Sequence, residues 1–482
     1  MTISADAVNL GEDRLARVHA LTDAGSFAEF GSQARHRSHA FGMQRKRPPG
    51  DGVVTGTARL NGRPVAIFSQ DPTSLGGSLG EVHAQKIARL LDKAGRGRTP
   101  VVGLLDSGGA RIQEGVAALD GYGEIFRRNV ALSGRVPQIS VVLGPCAGGA
   151  VYSPALTDIV IMRRTDAYMF LTGPRVVKAV TFEDVTLEQL GGADMHAESS
   201  GVAHLVAEDT DHALDLARQV LDYLPSSCWD TSPVFAPTPS EPMPDVPADH
   251  RLAYDVRRVV RAVVDGDSFL ELQERFARNI VVGFARVDGQ AVGVVANQPA
   301  HLAGCLDIAA SEKAARFVRM CDAFGVPLVT LVDVPGFLPG TAQEADGIIR
   351  KGAKLLYAFA EATVPRVTVV LRKAFGGAYI VMNSRSLGAD AVYCWPGAEL
   401  AVMGAEGAVD VIHRRELEAA PERRAELVER YRQEAMAPHI PAERMSVDEI
   451  ISPDQTRDVV AATLASLATA NRPVFRHDNL PQ

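Results

Sequence analysis

Cysteine is scarce in this chain, and its placement excludes two common kinds of small scaffold. The 482 residues include five cysteines, an odd number, and no two of them form a C-x-x-C pair. Neither a disulfide framework nor a zinc ribbon is supported, and a reducing cytoplasm is the expected location. No constellation of candidate metal ligands stands out either, so we expect no metal in this chain.

Long apolar runs and long basic runs are also missing. No uncharged apolar stretch reaches about 18 residues, the length that indicates a membrane span. The first residues, Met1–Asp6, show no basic region followed by an apolar one, so no signal peptide is expected. The net charge is −8 and basic groups such as Arg45–Arg47 are short, so nucleic acid is not an expected partner.

What the chain does contain is a long internal repeat. Pro100–Asp106 and Pro137–Ala150 reappear about 228 residues later as Pro327–Asp333 and Pro365–Ala378. A chain of this length exceeds one ordinary hydrophobic core, which agrees with two homologous halves. Each half alternates continuous apolar runs with amphipathic helical stretches, as in parallel strands covered on both faces. The predicted fold class is therefore α/β, repeated.

Proline marks the predicted boundary between the halves. Residues 225–247 contain seven prolines and no apolar period, a composition typical of a linker. We predict an N-terminal domain over residues 1–232, a proline-rich linker over 233–247 and a C-terminal domain over 248–482.

Each copy of the repeat carries glycines where a buried strand gives way to a helix. The first candidates for catalysis are Gly148 and Gly149 in the first copy, and Gly377 and Ala378 in the second. Glycine lets a substrate oxygen approach the backbone, and helix N-termini present N–H groups with partial positive charge. Losing one such donor costs about 3–4 kcal/mol of transition-state stabilisation. The sequence predicts two anion-stabilising sites, and the alternative is a tight turn without a ligand.

A second glycine-rich turn follows the strand that ends near Asp106. Such a turn can hold an oxyanion, but it lacks the spacing of a phosphate-binding Walker loop, so nucleotide triphosphate hydrolysis is not indicated. Residues of this turn, and the tyrosine after each glycine pair, are candidates for substrate contact: Gly108, Gly109, Ala110, Tyr152 and Tyr379.

One competing interpretation is a serine hydrolase. Gly76–Gly80 matches the G-x-S-x-G nucleophile pattern, with Ser78 as the nucleophile. The repeat places Cys305 at the equivalent position, which favours a packing requirement for a small side chain. No His–Asp pair is suggested by spacing.

Several longer stretches resemble the carboxyltransferase (β) subunits of biotin-dependent acyl-CoA carboxylases, the propionyl-CoA carboxylase type most closely. The similarity covers essentially residues 25–475. The stretches that carry it are Asp106–Gly115, Gly144–Asp158, Asn297–Pro299, Gly304–Ile308, Asp333–Gly340 and Gly352–Pro365.

The resemblance implies two tandem crotonase-like (spiral ββα) domains in a homo-oligomer, usually a ring-shaped hexamer built as a trimer of dimers. It places the site at a dimer interface and makes acyl-CoA the substrate. Biotin, carboxylated and covalently carried, comes from an α subunit with biotin carboxylase and carrier domains. By similarity, Gly148 and Gly149 hold the thioester oxygen as it becomes an enolate, and Gly377 and Ala378 hold the ureido oxygen of biotin.

This chemistry agrees with the lack of an evident protein base. Carboxybiotin releases CO₂, the biotin anion takes the α-proton of the acyl-CoA, and the enolate attacks CO₂. Two developing negative charges need two preorganised sets of donors. Within the family, a decarboxylase or transcarboxylase subunit that runs the reverse reaction is an alternative. A catalytically silent scaffold subunit is a remoter one, and the intact glycine pairs argue against it.

Two departures from the family pattern bear on the substrate. Relatives of the propionyl type commonly carry Asp where this chain has Ile380, a position that lines the acyl pocket in the family. An apolar residue there is expected to relax acyl specificity toward longer groups, and a neutral core substitution is the alternative. Relatives also have a longer basic segment before the stretch that matches Arg14–Val18, so its contacts with CoA phosphates are in question.

Overall fold

In this computed structural model, residues 14–468 and 477–481 are described, and they divide into two units. Unit 1 contains residues 14–232 and 477–481, and unit 2 contains residues 233–468. Each unit holds one copy of the sequence repeat around its own sheet. The predicted α/β class with repeated halves is confirmed.

Unit 1 is a sheet covered by helices. Its strands are β1 (Ala28–Glu29), β2 (Val53–Leu60), β3 (Arg63–Gln70), β4 (Val101–Ser107), β5 (Gln138–Ala147), β6 (Ile159–Arg163), β7 (Tyr168–Phe170) and β8 (Leu205–Ala207). Its helices are α1 (Ala16–Leu21), α2 (Glu81–Gly97), α3 (Val116–Leu132), α4 (Tyr152–Ala155), α5 (Pro174–Thr181), α6 (Leu187–Gly191), α7 (Ala193–Met195) and α8 (Thr210–Tyr223).

Unit 2 repeats this plan with its own strands and helices. Its strands are β9 (Leu270–Leu272), β10 (Ile280–Val287), β11 (Gln290–Asn297), β12 (Leu328–Val334), β13 (Arg366–Phe375), β14 (Ala391–Cys394), β15 (Glu399–Ala401) and β16 (Glu449–Ile450). Its helices are α9 (Val256–Val263), α10 (Ile308–Ala323), α11 (Thr341–Ala345), α12 (Ile348–Glu361), α13 (Gly376–Val381), α14 (Ala405–Ile412), α15 (Arg414–Ala419), α16 (Arg424–Tyr431), α17 (His439–Glu443) and α18 (Thr456–Leu467).

The two sheets share one topology. The strand order is β1-β2-β3-β4-β5-β6-β8 in unit 1 and β16-β14-β13-β12-β11-β10-β9 in unit 2. An antiparallel hairpin, β2–β3 or β10–β11, leads in each case into parallel strands. Val102 pairs with Ile139 just as Val329 pairs with Val367, so the repeat of the sequence is also a repeat of register.

The long helices cover these strands because their apolar residues recur every three or four positions. On α2, Ile87, Leu90 and Leu91 are buried in the core of unit 1, and on α10 the buried face includes Phe317 and Val318. Both strands that carry the glycine turns, β5 and β13, are buried along almost their whole length. The glycine turns are therefore held by rigid elements.

The proline-rich segment belongs to unit 2 and is not a free linker. The Phe235 N–H donates to the Gly289 carbonyl at 3.0 Å, and the Arg286 guanidinium lies 3.8 Å from the centre of the Phe235 ring. The prolines keep the segment extended, and an extended backbone can be held along its length in this way. The boundary between the units thus falls between Ser232 and Pro233, on the N-terminal side of the predicted linker.

The last described residues group with unit 1, although the prediction assigned them to the C-terminal domain. The Asn479 side-chain amide donates to Asp158 at 3.0 Å, and the Asn479 N–H donates to the Ser133 hydroxyl at 2.9 Å. These buried polar contacts lie within unit 1, and no periodic pattern in the sequence predicts them. Across the described ranges, no helix combines the length and apolarity that crossing a bilayer requires.

Candidate active site

The first glycine turn stands at the end of β5. Gly148 has φ +61°, a left-handed conformation that residues with a side chain rarely adopt. A short 3₁₀ turn, Gly148–Val151, leads directly into α4. The first N–H groups of such a turn have no earlier helical carbonyl to bond, so they are available to an external acceptor.

Gly149 is fixed by its neighbour as well as by the turn. A β-carbon at this position would lie 3.1 Å from the Tyr122 ring, closer than ordinary van der Waals contact. The Tyr122 ring stacks on Phe126 with centroids 5.7 Å apart, and Tyr152 meets Phe126 edge to face at 6.0 Å. An aromatic cluster thus backs the turn, and Tyr152 itself is half exposed beside it.

The second glycine-rich turn lies against the first. It follows β4, and Gly109 has φ +97°. A β-carbon at Gly109 would come within 2.7 Å of the Ala147 carbonyl, so only glycine allows the two turns to touch. Gly108 is exposed at this surface and Ala110 is half-buried. The structure therefore brings together all the unit 1 candidates selected from the sequence.

A buried ion network supports this second turn. Arg111, whose side chain is 1% exposed, lies 2.7 Å from both Asp51 Oδ1 and Glu114 Oε1 and donates to the Ser78 carbonyl at 2.8 Å. Burial raises the pKa of the Asp51 carboxyl, and Arg111 opposes that shift. Sequence reasoning missed this network, and an arginine inside a glycine-rich turn was the one signal for it.

Two more buried groups hold the loop that contains Asp51. His83 hydrogen-bonds the Asp51 carbonyl through Nδ1 at 3.1 Å, and burial, with Arg111 and Lys86 nearby, lowers its pKa to about 3. The Lys86 ammonium donates to the carbonyls of Gly50, at 2.9 Å, and Val53. Burial lowers the pKa of Lys86 to about 8.

The glycine turn of unit 2 stands at the end of β13. Gly376 has φ +60°, close to the +61° of Gly148, and it is the first residue of α13. Gly377 is exposed, and a β-carbon there would meet no atom within 4 Å. Ala378 is fully buried. The geometric counterpart of Gly148–Gly149 is thus Gly376–Gly377, and the 228-residue offset was the signal that pointed to Gly376.

Two cavities of unit 2 border this turn, and Gly377 and Ile380 line both. One, of about 400 Å³, has mainly apolar walls that include Phe337, Ile348 and Leu356. The other, of about 670 Å³, also contains polar groups: Tyr379, Glu434, Arg444 and Ser446. Burial raises the pKa of the Tyr379 hydroxyl, so it stays protonated and able to donate at neutral pH. Ile380, 43% exposed, faces this shared space.

Ser78 has structural contacts rather than those of a nucleophile. Its hydroxyl donates to the Leu75 carbonyl at 2.7 Å, and Arg111 Nε approaches the same oxygen at 3.4 Å. A nucleophilic serine needs a base within hydrogen-bond reach. In the described part of the chain, the hydrogen-bond partners of the Ser78 hydroxyl are a carbonyl and a guanidinium, so the geometry does not favour the hydrolase interpretation.

Comparison with known proteins identifies the family. A model of the carboxyl transferase domain matches residues 14–480. The chain belongs to the carboxyl transferase family. It is 52% identical over 497 aligned positions to the propionyl-CoA carboxylase carboxyltransferase subunit of Haloferax mediterranei, covering 98% of this chain and 96% of that protein.

Two further relatives belong to a transcarboxylase. The chain is 51% identical to the methylmalonyl-CoA carboxyltransferase 12S subunit of Propionibacterium freudenreichii subsp. shermanii, covering 96% of this chain and 90% of that protein. A transcarboxylase 12S crystal structure, a hexamer assembly with methylmalonyl-coenzyme A and methylmalonic acid bound, has a TM-score of 0.94 at 51% identity. That similarity covers 97% of this chain and 92% of the other.

These comparisons confirm the resemblance seen in the sequence. The chain is a carboxyltransferase component of the biotin-dependent acyl-CoA carboxylase class, and the tandem crotonase-like architecture is confirmed with it. Within the described ranges, no group of three or more His, Cys, Asp and Glu side chains is arranged to hold a metal ion.

Proposed function

We propose that this carboxyltransferase moves CO₂ from carboxybiotin to the α-carbon of a short- or medium-chain acyl-CoA. The single observation that carries the proposal is the duplicated turn: Gly148 and Gly376 stand at equivalent strand ends, and both have a φ near +60°. A reaction in which two oxygens gain negative charge needs two such sets of preorganised donors.

In this proposal the unit 1 turn stabilises the acyl-CoA. Gly148 and Gly149 hold the thioester oxygen as it becomes an enolate, because their backbone N–H groups lie at the start of a helical turn. Gly108, Gly109 and Ala110 border the same surface and contact the acyl-CoA, and Tyr152 shields one side. None of these residues is a base, which fits a reaction whose proton acceptor comes with the second substrate.

In this proposal the unit 2 turn binds the ureido group of biotin. Gly377 has open space where a side chain would stand, and the 670 Å³ cavity beside it offers a hydroxyl from Tyr379 and another from Ser446. These features fit the planar ureido group of biotin, whose oxygen accepts hydrogen bonds. Gly377 and Ala378 would hold its ureido oxygen through backbone N–H groups. When bound, the carboxylated cofactor supplies CO₂ and the anion that accepts the α-proton.

Ile380 is proposed to relax the acyl specificity. It borders the apolar 400 Å³ cavity, where each methylene removed from water contributes about 0.8 kcal/mol. An acidic side chain there would oppose a longer acyl chain because it prefers water.

The partners proposed are an α subunit, with biotin carboxylase and biotin carrier domains, and further copies of this chain in a hexamer. Large apolar side chains that the surface of each unit leaves exposed support an oligomer: Ile112, Val116, Leu119, Val180, Phe182, Ile349, Val402 and Val411. The cytoplasmic location stays a prediction.

A second candidate function is the reverse direction, in a transcarboxylase or decarboxylase complex. The 51% identity to the methylmalonyl-CoA carboxyltransferase 12S subunit favours it. The same two turns would serve, because an enzyme stabilises one transition state in both directions.

Reconstitution with an α subunit tests the proposal. The holoenzyme is supplied with ATP, labelled bicarbonate and acyl-CoA esters from acetyl- to octanoyl-CoA, and acid-stable label in the acyl-CoA is measured. Label that depends on both subunits supports carboxylation. Transfer of the carboxyl group from methylmalonyl-CoA to biotin without net fixation of bicarbonate supports the second candidate. If no ester gives either reaction, both candidates are contradicted.

A further inference from the structure

A buried carboxylate lies where β4 runs into the second glycine-rich turn of unit 1. Asp106, 7% exposed, is the residue before the last of β4, so the turn that holds Gly108 and Gly109 begins beside it. Its backbone N–H donates to the Gln70 side chain at 3.0 Å. Its carboxylate Oδ2 accepts from Arg17 Nη2 at 2.9 Å, and Arg17 comes from α1, far away in sequence.

The equivalent carboxylate of unit 2 is neutralised from within its own sheet. Asp333, on β12, accepts from Arg372 Nε at 2.7 Å. It also accepts from the Lys373 N–H at 3.3 Å, and the Lys373 ammonium lies 3.5 Å away. Arg372 and Lys373 are neighbours on β13, the strand that ends in the Gly376 turn.

Unit 1 cannot use that arrangement. The positions equivalent to Arg372 and Lys373 on β5 are Gly144 and Pro145. Gly144 has no side chain, and a β-carbon there would lie 2.2 Å from Asp106 Oδ1 where that carboxylate now stands. Pro145 has no N–H to donate. The strand therefore supplies neither the cation nor the backbone donor, and the cation comes from α1.

We infer that Arg17 is a positioning residue of the unit 1 anion site, supplying the positive charge that neutralises Asp106 beside the glycine turns. The inference rests on the proposed function, since it concerns the site assigned there to the enolate. Gly144 lies four residues before Gly148, about 13 Å along an extended strand, so an uncompensated carboxylate at Asp106 would repel an oxyanion at that turn by about 1 kcal/mol at an effective dielectric constant of about 20. It would also strain the turn, because a buried charge without a partner is costly.

The competing explanation is that Arg17 merely anchors α1. The same helix has a second anchor in Arg218 on α8, which donates to the Leu21 carbonyl at 3.2 Å and to the Ala20 carbonyl. Arg218→Gln removes that anchor and leaves the charge at Asp106 balanced. It is the matched control.

The test measures kcat and KM for propionyl-CoA in the reconstituted holoenzyme. Arg17→Gln should lower kcat about tenfold while KM changes about threefold or less, and Arg17→Lys should keep more activity because it retains the charge. Removing both charges, in Arg17→Gln with Asp106→Asn, should restore most of the lost kcat. Arg218→Gln should stay close to wild type. A double variant as slow as Arg17→Gln, or an equal loss in Arg218→Gln, would overturn the inference.

A second measurement keeps this inference separate from the proposed function. If the wild-type complex acts on no acyl-CoA, the proposed function has failed, and the thermal midpoint of the purified subunit decides the charge pairing. A lower midpoint in Arg17→Gln that recovers in the double variant supports the pairing. Additive losses in the double variant overturn it.

Discussion

The ring of Tyr122 lies directly beneath Gly149, 3.1 Å from the place where a β-carbon would stand. The ring stacks in turn on Phe126, so the position leaves no room for a side chain. The equivalent glycine of unit 2, Gly377, has no atom within 4 Å of that place. The first glycines of the two turns share a φ near +60°, but the glycines that follow them differ in their tolerance for a side chain.

Gly149→Ala should destabilise unit 1. The added methyl group must displace the Tyr122 ring, and overpacking of this kind costs about 1–3 kcal/mol. Thermal denaturation of the purified subunit measures the effect. Gly377→Ala is the matched control and should leave the midpoint unchanged. Equal midpoints for the two variants would contradict the difference between the turns.

Gly376→Ala should be less stable than Gly377→Ala, although the residues are adjacent. Gly376 has φ +60°, and alanine in the left-handed region costs about 1–2 kcal/mol. A β-carbon at Gly376 would also approach the Val402 carbonyl at 3.1 Å. Urea denaturation of both variants gives the comparison, and a Gly376→Ala protein as stable as Gly377→Ala would refute the strained conformation.

Ile380→Asp should shift activity toward propionyl-CoA. The carboxylate would stand at the apolar cavity that Ile380 lines, so kcat/KM should fall about fourfold for each further methylene of the acyl chain. A series of acyl-CoA esters measures the profile, with Ile380→Leu as the apolar control that keeps the wild-type profile. The same chain-length dependence in Ile380→Asp and wild type would remove Ile380 from substrate selection.

Acid should destabilise unit 1 partly through His83. Its pKa is about 3 in the folded state, because burial and the nearby Arg111 and Lys86 disfavour the charged ring. The unfolded chain binds a proton at His83 below a pH of about 6.5 and the folded chain does not, so stability falls as the pH drops from about 6.5 toward 3. This one group contributes about 1.4 kcal/mol per pH unit.

His83→Phe removes that contribution and keeps a ring of similar shape. Unfolding free energies measured in urea at several pH values should therefore fall less steeply in the variant than in wild type over this range. Parallel curves would show that His83 does not titrate on unfolding as described.

The fold and the glycine turns could be predicted from the sequence because both depend on local patterns of residues. Apolar runs, helical periodicity and the repeated Gly-Gly needed no knowledge of distant contacts. The pairing of Arg17 with Asp106 joins segments that are far apart in the chain, and the need for it arises from Gly144 and Pro145 on a third segment. Such a relationship exists only after folding.

The contacts of the proline-rich segment also could not be predicted from its composition. Its composition is typical of a linker, and prolines do keep it extended. Whether an extended segment stays free depends on acceptors and aromatic contacts offered elsewhere, here Gly289 and Arg286. Similarly, the repeat offset pointed to Gly376, but only its φ of +60° identified it as the counterpart of Gly148.

The most direct test of the two-turn mechanism is the rate at which the reconstituted complex carboxylates propionyl-CoA when Gly377 is replaced by valine. The β-carbon of valine would stand where the structure has open space, so the subunit should fold as wild type does, and size-exclusion chromatography checks its assembly. Gly123→Ala, on an exposed face of α3 with open space around it, is the control. We predict that Gly377→Val lowers kcat about a hundredfold or more while Gly123→Ala does not, because the valine side chain keeps the oxygen of biotin away from the backbone N–H donor. A Gly377→Val complex of normal assembly and normal rate would contradict the mechanism.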